Sequence, residues 1–332
     1  MAHSRAVALK ATPNTAIELF DAREFIKASK SKRTLRAYQD AWRQFVGFCE
    51  GKNLTPLPAD ANTIVKFIVH LAKSEHNKPQ TIAVKLAGLS FAHKTAHHMD
   101  STNDETVRVV MAGIRRKLGV APVKKSAIVR GDLLAMVGTL DAGALKGKRD
   151  RAILLVGFCG AFRRSELVAL DVVDVKANSH MVITVRRSKT DQEGEGLVKH
   201  FEDDGGIAPV AALQDWLDAA GIKSGAVFRQ VDRHGNVRET RLTAQSIALI
   251  VKSAARAAGL DWRALSGHSL RAGFITSAFE GGANKYSVCE QTGHNPTSST
   301  IDGYVRLEGR GALDALRAAT HGKPEGGASS TK

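Results

Sequence analysis

Apolar residues recur at helical spacing through the first third of the chain. In the segment that begins near Ser31 they share one face, while basic residues occupy the others. Ser31 or Thr34 is suited to cap this helix at its start. The same periodicity occurs in further segments, at 17–26, 61–73, 79–96 and 104–118, and Asp60 is suited to cap the segment that begins at 61. The sequence therefore predicts an all-helical domain at residues 15–118, preceded by a flexible lead at 1–14.

A short change in composition separates this domain from the rest of the chain. Residues 119–126 combine Gly, Pro and Lys without periodicity, which is typical of an interdomain linker. Beyond them, helical segments are mixed with β-branched runs at 172–189 and 197–203, which predict a hairpin. We therefore expect a mixed α+β domain at 127–321 and a disordered polar tail at 322–332. The fold class predicted for the whole chain is mainly α with a small β-sheet.

The charge balance points to a polyanionic partner. The 332 residues carry a formal net charge of +15, and most of this excess lies before Ser126. Such an excess favours nucleic acid first and an anionic membrane surface a distant second. The 3 cysteines are scattered without a CxxC pair, which favours a reducing compartment over a disulfide framework or a zinc knuckle. No apolar run has membrane-spanning length, and we expect no secretory core.

Three histidines at the end of the fourth helical segment, His93, His97 and His98, have the spacing of a metal-chelating pair. No third ligand and no HExxH pattern accompany them, so a solvated helix end is the better interpretation. The chain also contains no GxxxxGK[ST] loop and no paired acidic metal site, so ATP and Mg²⁺ are not indicated. We expect no metal and no other cofactor.

Side chains suited to phosphate chemistry collect in the segment from 266 to 305. His268 and Arg271 are spaced three apart, so on a helix they would share a face. Arg fits phosphate oxygens in pairs, and His moves protons near neutral pH. His294 and Tyr304 follow, each after a glycine. A Tyr hydroxyl attacks phosphorus only when cations and a base surround it, and this segment offers both.

Two further candidates lie upstream. Arg163 and Glu166 are spaced three apart on a predicted helix in an apolar setting, where an unpaired cation would be costly. The pair has two equally weighted interpretations, a structural ion pair and part of a phosphate site. Lys189 lies at the end of the predicted hairpin strand, where it could donate a proton to a neighbouring site. By itself, an exposed hairpin lysine is the more common explanation.

The motifs FRRSEL, RSKT, HSLRAG, TGH and IDGYV follow one another along the second half of the chain. In this combination the chain resembles the tyrosine recombinases of the phage integrase family, in the two-domain form typified by Cre. The N-terminal helices resemble the core-binding (SAM-like) domain of that family. Residue by residue, the resemblance assigns the catalytic positions to Arg163, Lys189, His268, Arg271, His294 and the nucleophile Tyr304, with Glu166 beside the first arginine.

The resemblance implies a site-specific DNA recombinase that needs neither metal nor ATP. Arg163 and Arg271 would hold the scissile phosphate. Tyr304 would attack phosphorus to form a 3′-phosphotyrosyl link. His268 would assist loss of the tyrosine proton, and Lys189 would protonate the departing 5′ oxygen. Integration, excision and resolution all use this chemistry.

The resemblance also implies the partners. They are double-stranded DNA, a homo-tetramer formed on DNA by free monomers or dimers, and accessory or directionality factors.

The resemblance implies further roles for single residues. His294 would hydrogen-bond a non-bridging oxygen of the phosphate, and Glu166 would orient its neighbours. The helix around Leu313 and Leu316 is a candidate for docking on the adjacent protomer. A bacterial or phage-encoded protein of the cytoplasm, associated with the nucleoid and not with membrane, is expected.

Phosphate contacts in the N-terminal domain are expected from basic residues, although a solvated charged face is the usual explanation for each. These residues are Lys30, Lys32, Arg33, Arg36 and Lys85.

Two features of the second half of the chain depart from the family pattern. Arg164 stands where an aliphatic residue is usual, and the interval between His294 and Tyr304 is one residue longer. Tyr286, the other late tyrosine, precedes the TGH motif and is expected to pack.

Two alternatives to a recombinase remain open at this point. One is an enzyme similar to type IB topoisomerases, which shares the chemistry but relaxes DNA as a monomer. The short C-terminal tail and the N-terminal domain favour the recombinase over it. The other is a DNA-binding relative without catalysis, against which the complete set of Arg, Lys, His and Tyr side chains argues.

Overall fold

The structure, a computed structural model, describes residues 30–120, 125–177, 180–186, 196–204, 206–297, 301 and 304. Contacts divide the chain into two compact units, Met1–Val123 and Lys124–Lys332, here called the N-terminal and C-terminal units. The predicted limits of the two domains and of the linker stay predictions. Several predicted features lie outside the described residues: the first helix, the lead, the tail, and Leu313 and Leu316.

The described part of the N-terminal unit is helical, as the periodicity predicted. Its helices are α1 (Lys32–Glu50), α2 (Ala61–Lys73), α3 (Pro79–Thr95) and α4 (Glu105–Leu118). The predicted caps form, since side-chain oxygens of Ser31 and Asp60 accept backbone N–H groups of the first helical turns. The apolar faces meet in one core, where the Phe45 and Phe67 ring centroids lie 5.0 Å apart.

His93 belongs to this core. It is fully buried; its Nε2 accepts the Ala59 backbone N–H at 3.0 Å, and its Nδ1 donates to the Leu89 carbonyl at 2.8 Å. The expectation of a solvated helix end is therefore wrong for His93, although His97 and His98 are exposed. Both ring nitrogens of His93 satisfy main-chain groups that would otherwise be buried without partners.

The C-terminal unit mixes helices with two small antiparallel sheets, in agreement with the predicted fold class. Its described helices are α5 (Arg130–Gly138), α6 (Leu145–Cys159), α7 (Arg164–Ala169), α8 (Pro209–Ala219), α9 (Ala244–Ala257), α10 (Ser269–Glu280) and α11 (Lys285–Thr292). The strands are β1 (Val175–Ala177), β2 (Met181–Val185) and β3 (Leu197–Phe201), paired in that order, and a separate pair, β4 (Arg229–Val231) and β5 (Val237–Arg241).

Helix α6 lies at the centre of the C-terminal unit and contacts both α8 and α10. Its residues from Ala152 to Phe158 are buried in succession, so the helix is enclosed on all faces. Gly147, in its first turn, permits close approach of the chain segment at Asp141. A Cβ at Gly147 would lie 1.8 Å from the Asp141 carbonyl oxygen. The end of α6 leads directly to Phe162 and α7.

Helix α10 packs unusually close to the chain segment before α5. The Ile128 backbone N–H donates to the Ser269 carbonyl at 3.1 Å, and a Cβ at Gly273 would lie 1.7 Å from the Ile128 carbonyl oxygen. Gly273 is the last residue of the HSLRAG motif. The motif glycine thus has a packing reason, which is main-chain contact between α10 and residues 126–129.

Replacing Gly273 with alanine should destabilise the C-terminal unit. The added methyl group meets main-chain atoms that cannot rotate away, so we expect a loss of about 3 kcal/mol in unfolding free energy. The control is Gly138→Ala, where no described atom outside the helix's own backbone and adjacent residues lies within 4 Å of the position that the new methyl group would take. Urea unfolding should place the Gly273→Ala midpoint well below wild type and the control near it. Equal midpoints would contradict the packing argument.

Of the helices that the structure describes, none combines the length and the apolar character that spanning a bilayer requires.

The β4–β5 hairpin was not predicted from the sequence. Its two strands are short and contain no buried residue, so they lack the alternation of apolar and polar residues that marks a half-buried strand.

Candidate functional site

Predicted site residues from well-separated parts of the sequence meet in the C-terminal unit. Arg163 lies at the start of α7, and Arg271 in the first turn of α10. His294 follows the end of α11, where Gly293 adopts a left-handed conformation with φ of 68°. His268 and Tyr304 complete the group. Lys189 lies outside the described residues.

Arg163 is held by Glu166. The Arg163 Nη1 donates to Glu166 Oε1 at 2.6 Å, and the Arg163 backbone N–H donates to Oε2 at 2.9 Å. The Arg163 side chain is 18% exposed and that of Glu166 only 4%. One carboxylate therefore fixes both the backbone and the side chain of Arg163 at the helix start. Such a buried pair is oriented by its hydrogen bonds rather than by charge alone.

Arg271 is fully buried. Its Nη1 donates to the Ala161 carbonyl at 2.8 Å, and its Nη2 lies 3.0 Å from His294 Nε2. Among the described residues, the buried Nε of Arg271 has no hydrogen-bond partner. Burial, followed by the charge of Arg163, lowers the pKa of Arg271 to about 10. A buried guanidinium with a spare donor is suited to an anion.

His294 has its tautomer set by its neighbours. Its Nδ1 lies 2.9 Å from Thr292 Oγ1, and that hydroxyl donates to the Val288 carbonyl at 2.7 Å. Since Thr292 uses its proton there, it accepts from His294 Nδ1–H, which leaves Nε2 to accept from Arg271. Burial, then the charges of Arg271 and Arg163, lower the pKa of His294 to about 4. The ring is therefore neutral at physiological pH.

His268 and Tyr304 face each other, with 3.5 Å between His268 Nε2 and Tyr304 Oη. Burial, then Arg271 and Arg163, lower the pKa of His268, so its ring is neutral and can accept a proton. Burial raises the pKa of Tyr304, and the charge of Arg271 opposes this rise. The tyrosine ring packs on an apolar cluster that includes Val288 and Ile301.

His268 is the N-cap residue of α10, three positions before Arg271, and its carbonyl accepts the Ala272 backbone N–H at 3.0 Å. Its backbone N–H donates to Ser266 Oγ at 3.2 Å. The unusual Arg164 contributes here, because its Cδ would lie 3.2 Å from a Cβ at Gly267. The Arg164 stem therefore packs against the turn that carries His268, and its charge is among the causes that lower the His268 pKa.

Two residues near the site were not recognised in the sequence. Lys199, on β3, is fully buried, and burial together with Arg271 lowers its pKa to about 7. Gln291, on α11, donates from its side-chain amide to the Cys159 carbonyl at 2.9 Å. The available signal was the position of Lys199 on the interior face of β3, next but one to Phe201.

The predicted DNA-contact residues lie in the N-terminal unit. Lys30, Lys32, Arg33 and Arg36 are exposed at the start of α1. Lys85, on α3, is partly buried and donates from Nζ to Gln44 Oε1 on α1, so it also joins two helices. Their role at DNA stays a prediction.

Tyr286, the other late tyrosine, was expected to pack. Its side chain is 74% exposed on α11, so this interpretation is wrong.

In the described part of the chain, no group of three or more His, Cys, Asp or Glu side chains could hold a metal ion.

The unfolding free energy of the protein should fall when the pH drops from about 6.5 towards 4. The pKa of His294 is about 4 when folded against an ordinary 6.5, so in this window the unfolded chain binds a proton that the folded chain does not. His268 acts in the same direction. Urea midpoints at pH 7 and pH 5 should differ less in His294→Gln than in wild type. The exposed-loop control His234→Gln should keep the wild-type difference; an unchanged difference in His294→Gln would contradict the assignment.

Comparisons with known proteins agree on one family. The phage integrase family model matches residues 131–309. The integrase/recombinase xerD homolog of Selenomonas ruminantium is 37% identical over 279 residues, covering 82% of this chain and 81% of the relative.

Solved structures show the same fold. The XerH site-specific recombinase in a post-cleavage complex with palindromic difH substrate has a TM-score of 0.59 and 17% identity, covering 78% of this chain and 72% of the other. A lambda integrase tetramer bound to a Holliday junction also has a TM-score of 0.59, with 15% identity, covering 87% of this chain and 76% of the other.

Proposed function

The chain belongs to the phage integrase family and is a tyrosine-type site-specific DNA recombinase, and we propose that Tyr304 is its nucleophile. One observation carries this proposal. The Tyr304 hydroxyl lies 3.5 Å from the neutral His268 ring, in the same pocket as Arg163 and Arg271. A weak nucleophile, a proton acceptor and two fixed cations are what attack on a phosphodiester requires.

In the proposed reaction, the Tyr304 oxygen attacks phosphorus while its proton moves to His268 Nε2. The bond from phosphorus to the 5′ oxygen breaks, which leaves a 3′-phosphotyrosyl link. We assign protonation of the leaving 5′ oxygen to Lys189, on the family resemblance of its RSKT motif. Attack of a 5′ hydroxyl from a partner strand reverses the step and exchanges strands. The covalent link conserves the bond energy.

Arg163 and Arg271 would bind the non-bridging oxygens and stabilise the charge of the pentacoordinate transition state. The buried pairing of Glu166 with Arg163 supports a role for Glu166 in orienting that guanidinium. His294 Nε2 accepts from Arg271. We propose that His294 holds Arg271 in place through Nε2, and that donation to a non-bridging oxygen, which the family resemblance implies, takes place from the other tautomer, with the proton on Nε2.

We propose double-stranded DNA as the partner and a homo-tetramer as the assembly that exchanges strands. The lambda integrase tetramer on a Holliday junction supports this, as does the fold that both proteins share. The exposed basic residues at the start of α1 would contact phosphates, so binding should weaken steeply with salt. Integration, excision and resolution are all served by this scheme, with accessory or directionality factors, and the bacterial relatives support action at cytoplasmic DNA.

The test is a suicide-substrate assay. Genomic fragments that the protein binds are selected, made into nicked duplexes, and incubated with the wild-type chain. A covalent complex on a denaturing gel, with the nucleotide adduct mapped to the Tyr304 peptide, is the expected result. Exchange of strands between two labelled duplexes separates a recombinase from an enzyme that only relaxes supercoils. An adduct on a different residue would overturn the assignment of the nucleophile.

A further inference from the structure

Lys199 has a position that is costly for a lysine. Side chains alternate along β3, so Lys199 and Phe201 face the interior while Val198 and His200 face outward. Lys199 is 0% exposed. Lysine is almost never fully buried unless a partner compensates for the lost hydration. The partners of Lys199 therefore indicate what it does.

The contacts of Lys199 lead to the candidate active site. Its Nζ donates to the main-chain carbonyl of Gln291, in the last turn of α11, and lies 5.2 Å from the centroid of the Phe162 ring. Phe162 immediately precedes Arg163, and Gln291 lies just upstream of His294. Lys199 thus contacts the two chain segments from which these site residues extend.

Other contacts tie the same strand to the same helix end. The Gln291 side-chain amide donates to the His200 carbonyl at 3.2 Å. At Gly293 a Cβ would lie 2.7 Å from Leu197 Cδ2, so main chain and side chain are in close contact there. Strand β3 therefore holds the end of α11 through Leu197, Lys199 and His200. His294, which meets Arg271, follows directly from this held segment.

We propose that Lys199 is a positioning residue, which fixes the end of α11 on β3 so that His294 is presented to Arg271. This inference rests on the proposed function for its effect on cleavage, but its structural part is independent of it. Lys199 does not touch substrate in this scheme, because its side chain is enclosed. It acts through Gln291 and the two residues that separate Gln291 from His294.

Charge also fits a positioning role. The charged and titratable groups around Lys199 are Arg163, Glu166, Arg271 and His294. Burial, then the charge of Arg271, lower the Lys199 pKa to about 7, while Glu166 opposes this change. A neutral amine still has protons to donate to the Gln291 carbonyl. The hydrogen bond from Lys199 to the Gln291 carbonyl therefore does not depend on a full positive charge beside two arginines.

The discriminating variant is Lys199→Met, which has nearly the same length and no donor. Methionine removes the desolvation cost of the buried amine but leaves the Gln291 carbonyl without this donor, so the two effects oppose each other and the unfolding midpoint should stay near that of wild type. Single-turnover cleavage at saturating DNA should nevertheless slow by about tenfold or more, because small displacements of catalytic groups are costly. Half-saturating DNA concentration should be unchanged. Lys176→Met, an exposed lysine on β1 of the same sheet, is the matched control and should cleave at the wild-type rate.

A second variant tests whether the contacts that Lys199 and Gln291 make at the end of α11 act as one unit. Gln291→Leu removes the amide bonds from the same helix end. If Lys199 and Gln291 act together, the double variant should cleave hardly more slowly than the slower single variant. Additive losses would show two independent effects and would contradict the proposed tether.

Amide hydrogen exchange gives a measurement that does not need cleavage. In Lys199→Met, exchange at residues 292–294 should rise by about tenfold while the amides of α6 keep their protection. Unchanged exchange at 292–294 would overturn the inference, whatever the enzyme does. A wild-type protein that forms no covalent complex would instead overturn the proposed function. Wild-type cleavage rates in Lys199→Met would exclude the positioning role.

Discussion

Phenylalanine in place of Tyr304 should leave DNA binding intact and remove the covalent protein–DNA complex. The substitution takes away only the hydroxyl oxygen, while the ring keeps its packing on Val288 and Ile301. Loss of a nucleophile that works with a base costs on the order of 10⁴-fold or more in rate. Quantified band intensity on a denaturing gel, after incubation with nicked duplexes, is the measurement. Equilibrium binding to the intact duplex should match that of wild type.

The matched control for this experiment is Tyr286→Phe. Tyr286 is exposed on α11 and is the other tyrosine in the same part of the chain. Its variant should form the complex at the wild-type level. If Tyr304→Phe and wild type formed equal amounts of complex, the nucleophile would be elsewhere. A double Tyr286→Phe, Tyr304→Phe variant would then show whether Tyr286 replaces it.

Lysine in place of Arg271 should slow cleavage by about 10²- to 10³-fold, although the formal charge is preserved. Arg271 donates to the Ala161 carbonyl and to His294 Nε2 from two different nitrogens. A lysine ammonium has one nitrogen on a flexible stem and cannot reproduce this fork. At least one of these buried acceptors would lose its donor, at a cost of about 1–3 kcal/mol in stability. Single-turnover cleavage and urea unfolding measure the two effects.

Arg256→Lys is the control for this substitution, since Arg256 is exposed on α9. It makes the same chemical change in the same unit and should alter neither cleavage nor stability. The key comparison is between the two lysine variants at equal DNA occupancy. Cleavage by Arg271→Lys at the rate of Arg256→Lys would mean that charge alone is sufficient at this position.

The sequence was informative where local pattern and local chemistry agree. Helical periodicity with Ser31 and Asp60 at the helix starts predicted α1 and α2 closely, because capping and amphipathicity are properties of neighbouring residues. The ion pair between Arg163 and Glu166 also follows from local spacing. The family motifs also predicted site residues that are distant in the sequence. In the structure, Arg271 meets His294 and Tyr304 meets His268.

Features that depend on contacts between distant segments could not be predicted from local sequence pattern. Alternation along β3 places Lys199 on the same face as Phe201, but it does not reveal that the carbonyl of Gln291 lies there. His93 was placed at a helix end, yet the fold buries it beneath Ala59. Tyr286 has an apolar ring, yet most of its surface stays exposed. In each case tertiary packing, which a single sequence does not encode locally, decides the environment.

The carboxylate of Glu166 is surrounded by more positive charge than it can neutralise. Burial first, and then the positive charges of neighbouring groups among Arg163, Arg271 and Lys199, lower the pKa values of Arg271 and Lys199. The pocket therefore stores electrostatic repulsion, which a bound phosphodiester relieves. Folding of the C-terminal unit and capture of an anion are thermodynamically linked. Bound DNA should therefore raise the unfolding free energy of the C-terminal unit as well as serve as the substrate. The folded state is then most stable when the protein is bound to its target.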